Sequence, residues 1–232
     1  MKSSLKFFFG PAAAMVLAGA LLATSGAHAA TITWTQWTSG TSGNPGSATG
    51  TMALSPDIAV NFSGKTGGIV SNYPSWGPAS TFADGTIVAN APPKSGGIVY
   101  LTGGDSTVQT LSFSAPVVNP IMSIWSLGNG SQPASFNFID ATPVFVTGGP
   151  SNEYGGSAIS VSGNVVSGRE GNGTVEFVGT FNSLKWTNPS AEGWYGFTVG
   201  VTAAAVPEPE SLSLLILGLG GVILGLRRTR QA

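Results

Sequence analysis

Apolar and polar residues alternate with a period of two through most of the chain's middle. The clearest stretches are Asp57-Ile58-Ala59-Val60-Asn61-Phe62, Ser135-Phe136-Asn137-Phe138, Pro143-Val144-Phe145-Val146, Ala158-Ile159-Ser160-Val161 and Thr174-Val175-Glu176-Phe177-Val178. Side chains on a strand point alternately to its two faces, so each stretch predicts a strand with one buried face. Gly97-Ile98-Val99-Tyr100-Leu101 and Ile121-Met122-Ser123-Ile124-Trp125 are apolar almost throughout and predict strands buried on both faces. Gly196-Phe197-Thr198-Val199-Gly200-Val201 predicts a final strand. Between the two ends of the chain, no window carries apolar residues at i, i+3, i+4 and i+7, the spacing a helix would need.

Turn residues separate these runs at the spacing of an all-β sandwich or barrel. They include Ser42-Gly43-Asn44-Pro45-Gly46, Gly103-Gly104-Asp105 and Asp84-Gly85. Asn129-Gly130 and Asn172-Gly173 supply the positive φ of tight hairpins. Residues 38–50 and 71–78, rich in Gly, Ser, Thr and Pro, read as surface loops. The expected fold is an antiparallel β-sandwich of jelly-roll character over residues 30–201, with a closed barrel as the alternative.

Both ends break the pattern. Residues 1–29 begin with Lys2 and Lys6, continue through an apolar stretch, and end in Ala27-His28-Ala29, a small-x-small cleavage site. This is the layout of a secretory signal peptide, cut after Ala29. At the other end, residues 202–210 form a linker containing Val206-Pro207-Glu208-Pro209. An uncharged apolar run occupies 211–226, and the basic tail 227–232 carries Arg227, Arg228 and Arg230. At about 1.5 Å per residue that run would span about 24 Å as a helix, short against a bilayer core of about 30 Å. Basic residues after it are the mark of a cytoplasmic stop. A short span of this kind suits transient anchoring.

Proline-acid-proline, apolar run and arginines, in that order, resemble the PEP-CTERM sorting tail of bacterial surface proteins. The resemblance covers only the final 27 residues, 206–232. It implies export through the Sec translocon, transient or permanent anchoring in the membrane, and processing by an exosortase-type protease at Val206-Pro207-Glu208-Pro209. The destination it implies is the cell surface or extracellular matrix. Residues 119–128, 148–156, 170–175 and 194–200 are together similar to one recurring ectodomain type among PEP-CTERM proteins, from which no activity transfers to a residue here.

Composition removes most other chemistry. Between the two end segments Lys65, Lys94, Arg169 and Lys185 face eight acids, a net charge of −4, so no basic patch for nucleic acid exists. The chain has no cysteine, and its one histidine, His28, lies in the signal peptide. Thiol chemistry, Ser-His-Asp catalysis and histidine-bound zinc are thereby excluded from the mature protein. Asp105, Asp140 and Glu153 offer hard oxygen ligands without an Asp-x-Asp-x-Asp loop, and neither metal nor cofactor is expected.

Six tryptophans remain as candidates: Trp34, Trp37, Trp76, Trp125, Trp186 and Trp194. Trp125 lies in a buried run. Trp34 and Trp37 differ in strand parity, so without a bulge only one can face the core. Trp76, in a proline-rich loop, is the candidate glycan contact. Glu153 and Glu170 lie in glycine-rich loops; they suit a carboxylate pair, or one of them an ion pair with Arg169. The reading that follows is an exported, non-enzymatic surface or matrix protein associated with exopolysaccharide or biofilm. A lectin-like module using Trp76 is the alternative, and a glycoside hydrolase using Glu153 and Glu170 comes third.

Overall fold

The alternation becomes two facing sheets in the computed structural model, which describes residues 29–203. The expected signal peptide with Ala27, the sorting motif 206–209, the apolar run 211–226 and the arginines lie outside these residues. No helix among the described residues is long and apolar enough to cross a membrane.

The strands are β1 (Ile32–Trp34), β2 (Gln36–Thr41), β3 (Gly43–Met52), β4 (Ile58–Thr66), β5 (Gly68–Val70) and β6 (Ile98–Gly103). They continue with β7 (Val108–Val118), β8 (Ile121–Leu127), β9 (Ala134–Phe138), β10 (Pro143–Gly148) and β11 (Ser157–Ala158). The last are β12 (Ser160–Ser162), β13 (Val165–Gly168), β14 (Gly171–Phe177), β15 (Thr180–Thr187) and β16 (Ala191–Thr202). One sheet runs β10-β14-β8-β16-β6-β5, with β1 paired to β16 and β11 to β14. The other runs β12-β13-β9-β15-β7-β4-β3-β2. All pairings are antiparallel except the short β11–β14 ladder. From β6 to β10 each successive strand changes sheet.

The inter-sheet core is where the inward positions meet. Phe62, Phe136, Phe138, Trp186 and Phe197 form its aromatic centre, with Trp186 and Phe197 centroids 5.3 Å apart, edge to face. Strand β8 is buried along its whole length because both of its faces are covered. Met122 and Ile124 point into the inter-sheet core. Ile121 and Trp125 point outward, where residues 71–97 fold over the sheet with a one-turn helix at Ala79–Phe82.

Four expectations change. Residues 38–50 are no surface loop but mostly the β2–β3 hairpin. Cross-strand hydroxyl pairs Ser39–Thr49 (2.7 Å) and Thr41–Ser47 (2.9 Å) hold it, an arrangement that needs no apolar alternation. Residues 158–161 divide between the sheets, Ala158 pairing with β14 and Ser160 with β13. Asn172-Gly173 is no turn but lies inside β14, where a side chain on Gly173 would meet the Thr147 carbonyl oxygen at 2.4 Å. Trp34 and Trp37 are both buried, because the chain changes sheet between them at Thr35.

Candidate functional site: an aromatic cleft with two carboxylates

The site begins with two irregularities in the outer-covered sheet. Between β8 and β14, Ile124 pairs with Gly173 but Leu127 with Gly171, so β8 carries one residue more than its neighbour. Between β16 and β6, Ala191 pairs with Gly103 but Tyr195 with Leu101, so β16 carries two more. Such bulges leave residues out of the ladder and turn their side chains away from it. The displaced residues are Ser126 on β8 and the segment Glu192-Gly193-Trp194 on β16.

Asn172 holds the first bulge in place. This fully buried amide accepts the Ser126 N–H through Oδ1 (2.8 Å) and donates through Nδ2 to the carbonyls of Glu170 (2.9 Å) and Gly155 (3.1 Å). Ser126 and Glu170 both have positive φ, 55° and 50°. That region costs a non-glycine residue energy, so surrounding contacts must impose it. Gly156 permits this packing, since a side chain there would collide with the Glu170 carbonyl.

Ser126, Glu170 and the Glu192-Gly193-Trp194 segment border a cleft of ≈ 510 Å³, with Tyr73 from the covering segment and Tyr154 from the β10–β11 loop. Tyr154 is 53 % exposed, and Tyr73 and Trp194 are half-buried. Trp125 packs behind them, its ring 5.3 Å from Tyr73, 5.3 Å from Tyr154 and 6.1 Å from Trp194. Its indole Nε1 is buried and has no hydrogen-bond partner among the described residues.

Glu170 and Glu192 complete the cleft. Glu170 Oε2 accepts from the Ser126 hydroxyl at 2.7 Å, and Glu192 Oε2 from the Gly128 N–H at 2.8 Å. Burial pushes Glu192 up to about 7, against the pull of the Gly128 N–H and with Glu170 adding repulsion. Tyr73 is also raised, by burial first and then by the Tyr154 hydroxyl and the Glu153 charge. The arrangement can stack an apolar ring face, accept several hydrogen bonds and exchange a proton near neutral pH.

Of the expected site residues Glu170 lies here, together with Trp194 from the six candidate tryptophans. Trp76 is 2 % exposed, edge-on to Phe82 at 5.1 Å, so the loop that looked exposed folds back over the sheet and offers no face to a sugar. Glu153 does not join Glu170; its Oε1 accepts the Ser75 N–H at 2.6 Å and ties two loops together behind Tyr154. Arg169 makes no ion pair with either acid and donates instead to the Ser131 carbonyl at 2.9 Å. Tyr73, Ser126 and Glu192 were not singled out by sequence reasoning as site residues. The usable signal was Glu192-Gly193-Trp194, a carboxylate and an aromatic two apart around a glycine.

Among the described residues no three carboxylate, imidazole or thiol side chains gather as a metal would require. A second groove, ≈ 820 Å³, lies where the chain leaves β16 and is lined by Leu54, Ile58, Pro116, Val118 and Val201 among others, with no charged group.

No curated protein and no solved structure matches the chain. Residues 205–231 do match a family model, that of the PEP-CTERM protein-sorting motif. The motif marks an exported protein that an exosortase, a membrane protease, sorts toward the cell surface. The cleft-bearing sandwich therefore belongs to an exported protein with a PEP-CTERM sorting tail.

Proposed function

We propose that the protein is a non-enzymatic glycan-binding component of the cell surface or extracellular matrix, held near exopolysaccharide by the cleft. The observation that carries this is the convergence of Tyr73, Tyr154 and Trp194 with Glu170 and Glu192 on one ≈ 510 Å³ cleft. Pyranose rings present apolar C–H faces to aromatic rings and hydroxyl donors to carboxylates. A pyranose thus matches both halves of the site. The sorting motif supports the location, since surface polysaccharide is what an exported domain meets. Residues 1–29 act as the export signal and the tail as a transient anchor in this reading.

A panel of neutral, acidic and basic oligosaccharides, titrated by calorimetry, tests it. Wild-type protein is expected to bind at least one class. Trp194→Ala and Tyr154→Ala are expected to weaken that binding about tenfold or more, as loss of a central aromatic anchor does. Absence of binding across the panel sinks the proposal.

One observation favours a second reading, glycoside hydrolysis. Glu192, pushed up to about 7, can hold a proton at neutral pH beside the Glu170 carboxylate, as an acid–base pair requires. Reducing-end release by wild-type protein that disappears in Glu192→Gln would establish it.

A further inference from the structure

The cleft is one-sided in charge. Two carboxylates face it and no lysine or arginine lines it. Arg169, next to Glu170 in sequence, spends its guanidinium Nη1 on the Ser131 carbonyl. The ion pair among the described residues is Lys65–Asp105, which leaves Glu170 and Glu192 without a cationic partner. Glu170 accepts from the Ser126 hydroxyl and Glu192 from the N–H groups of Gly128 and Trp194, fewer bonds than a carboxylate can accept, so each retains acceptor capacity. Carboxylates brought together in a half-buried cavity repel, and a ligand that carries positive charge between them relieves the repulsion.

The walls narrow the kind of cation. Aromatic faces attract cations through the ring quadrupole. They supply no oxygen ligands, whereas calcium takes six to eight. A quaternary ammonium would suit the rings but has no N–H to give to Glu170 and Glu192. A primary ammonium satisfies both, with charge-assisted bonds to the carboxylates and its charge over the tyrosines. Trp194, half-buried and packed against Tyr100 with centroids 4.5 Å apart and planes tilted by 43°, leaves a surface for the apolar face of the ring bearing that amine.

We propose that the cleft recognises a sugar with a free protonated amine, a hexosamine unit of a de-N-acetylated glycan, its ammonium between Glu170 and Glu192 and its ring face on Trp194. This rests on the glycan-binding reading above and narrows its ligand class. Glu192 supports it by carrying a proton it readily loses: burial and Glu170 hold it up to about 7, and an ammonium beside it favours the ionised form.

The test uses the full-length chain in a polyoxyethylene detergent, which has neither sugar nor amine to compete. Tryptophan fluorescence is titrated at pH 7 and low salt with three tetrasaccharides: the β-1,4 glucosamine tetramer, its fully N-acetylated form and the glucose tetramer. The amine form is expected to bind at least tenfold tighter than the other two. Glu170→Gln and Glu192→Gln, which keep the shape and the hydrogen-bond acceptor, are expected to reduce that advantage to about twofold or less. Equal affinity for all three overturns the amine preference and leaves the glycan site standing. No binding of any, repeated over the wider panel, overturns both. Binding abolished by a chelator and restored by calcium would instead make the carboxylates metal ligands and overturn the ammonium assignment.

Discussion

The inter-sheet core and the cleft end of the covered sheet are built from the same residue types and do opposite things with them. In the core, Trp37 and Trp186 are buried with their indole N–H groups satisfied, Trp37 by Thr198 at 3.1 Å and Trp186 by Asn188 at 2.9 Å. Around the cleft, Trp194 and Tyr154 keep surface exposed, and the indole N–H of Trp125 has no partner among the described residues. The core has a bulge too, beside Trp37 between β2 and β3, but that ring stays buried. At the cleft, two bulges turn side chains toward solvent. Aromatic content thus identifies neither packing nor binding. Nor does pairing alone, since the core's Tyr195 hydroxyl also has no partner among the described residues. The difference lies in whether a bulge turns the ring toward solvent.

Substitutions can break or sharpen this contrast. The largest effect is expected from Trp186→Ala, which empties the centre of the core and should cost about 3–5 kcal/mol by urea denaturation. Asn172→Ala comes next. It strands the Ser126 N–H and two carbonyls, for about 1–3 kcal/mol, and by releasing Glu170 it should also weaken ligand binding. Loss of stability with binding intact would show that Asn172 serves the fold alone. Trp194→Ala should cost less than about 2 kcal/mol, in line with its edge stacking, while removing most of the affinity. A cost as large as that of Trp186→Ala would erase the distinction between the regions.

The fourth effect is on pH dependence. Glu192 is raised in the folded state, so between its unfolded value of about 4.5 and its folded value of about 7 the unfolded chain loses the proton first. Stability should therefore fall as pH rises through that window and level off above it. Glu170, the Tyr195 hydroxyl and the N–H groups of Gly128 and Trp194 are the groups that face Glu192. Thermal melts of Glu192→Gln at pH 4.5 and 8 should show a smaller drop than wild type; an unchanged drop would place the titration elsewhere. The smallest effect is expected from Lys65→Met at the 3.0 Å pair with Asp105, about 0–1 kcal/mol because both side chains are partly solvated.

Much of the fold was legible because alternation reports burial directly. The strands at Ile58–Thr66, Ala134–Phe138 and Pro143–Gly148 lie where the period of two put them. The β2–β3 hairpin was hidden because hydroxyl pairing and small residues hold it, leaving no apolar signal. The cleft was hidden for a different reason. A bulge shifts the phase of a strand without changing its composition, so Ser126 and Trp194 fell just outside the strands expected at 121–125 and 196–201. Glu170 was visible as an acid in a glycine-rich segment, but its partner Glu192 lies 22 positions on and meets it only through sheet order. Trp76 misled because proline and glycine around it suggest exposure, while residues 71–97 spend their aromatics covering a sheet face.

Strand β16 has one further consequence. It begins at the cleft, with Glu192 and Trp194, and ends at Thr202, paired with Ile32 of β1. From Trp194 to Thr202 an extended strand covers about 27 Å. The domain therefore receives and surrenders its chain at one pole and opens its cleft at the other. Mechanically it is a rod gripped by its base: tension on a ligand would run straight down β16, in shear across the ladders with β8 and β1, to whatever holds the chain after Ala203.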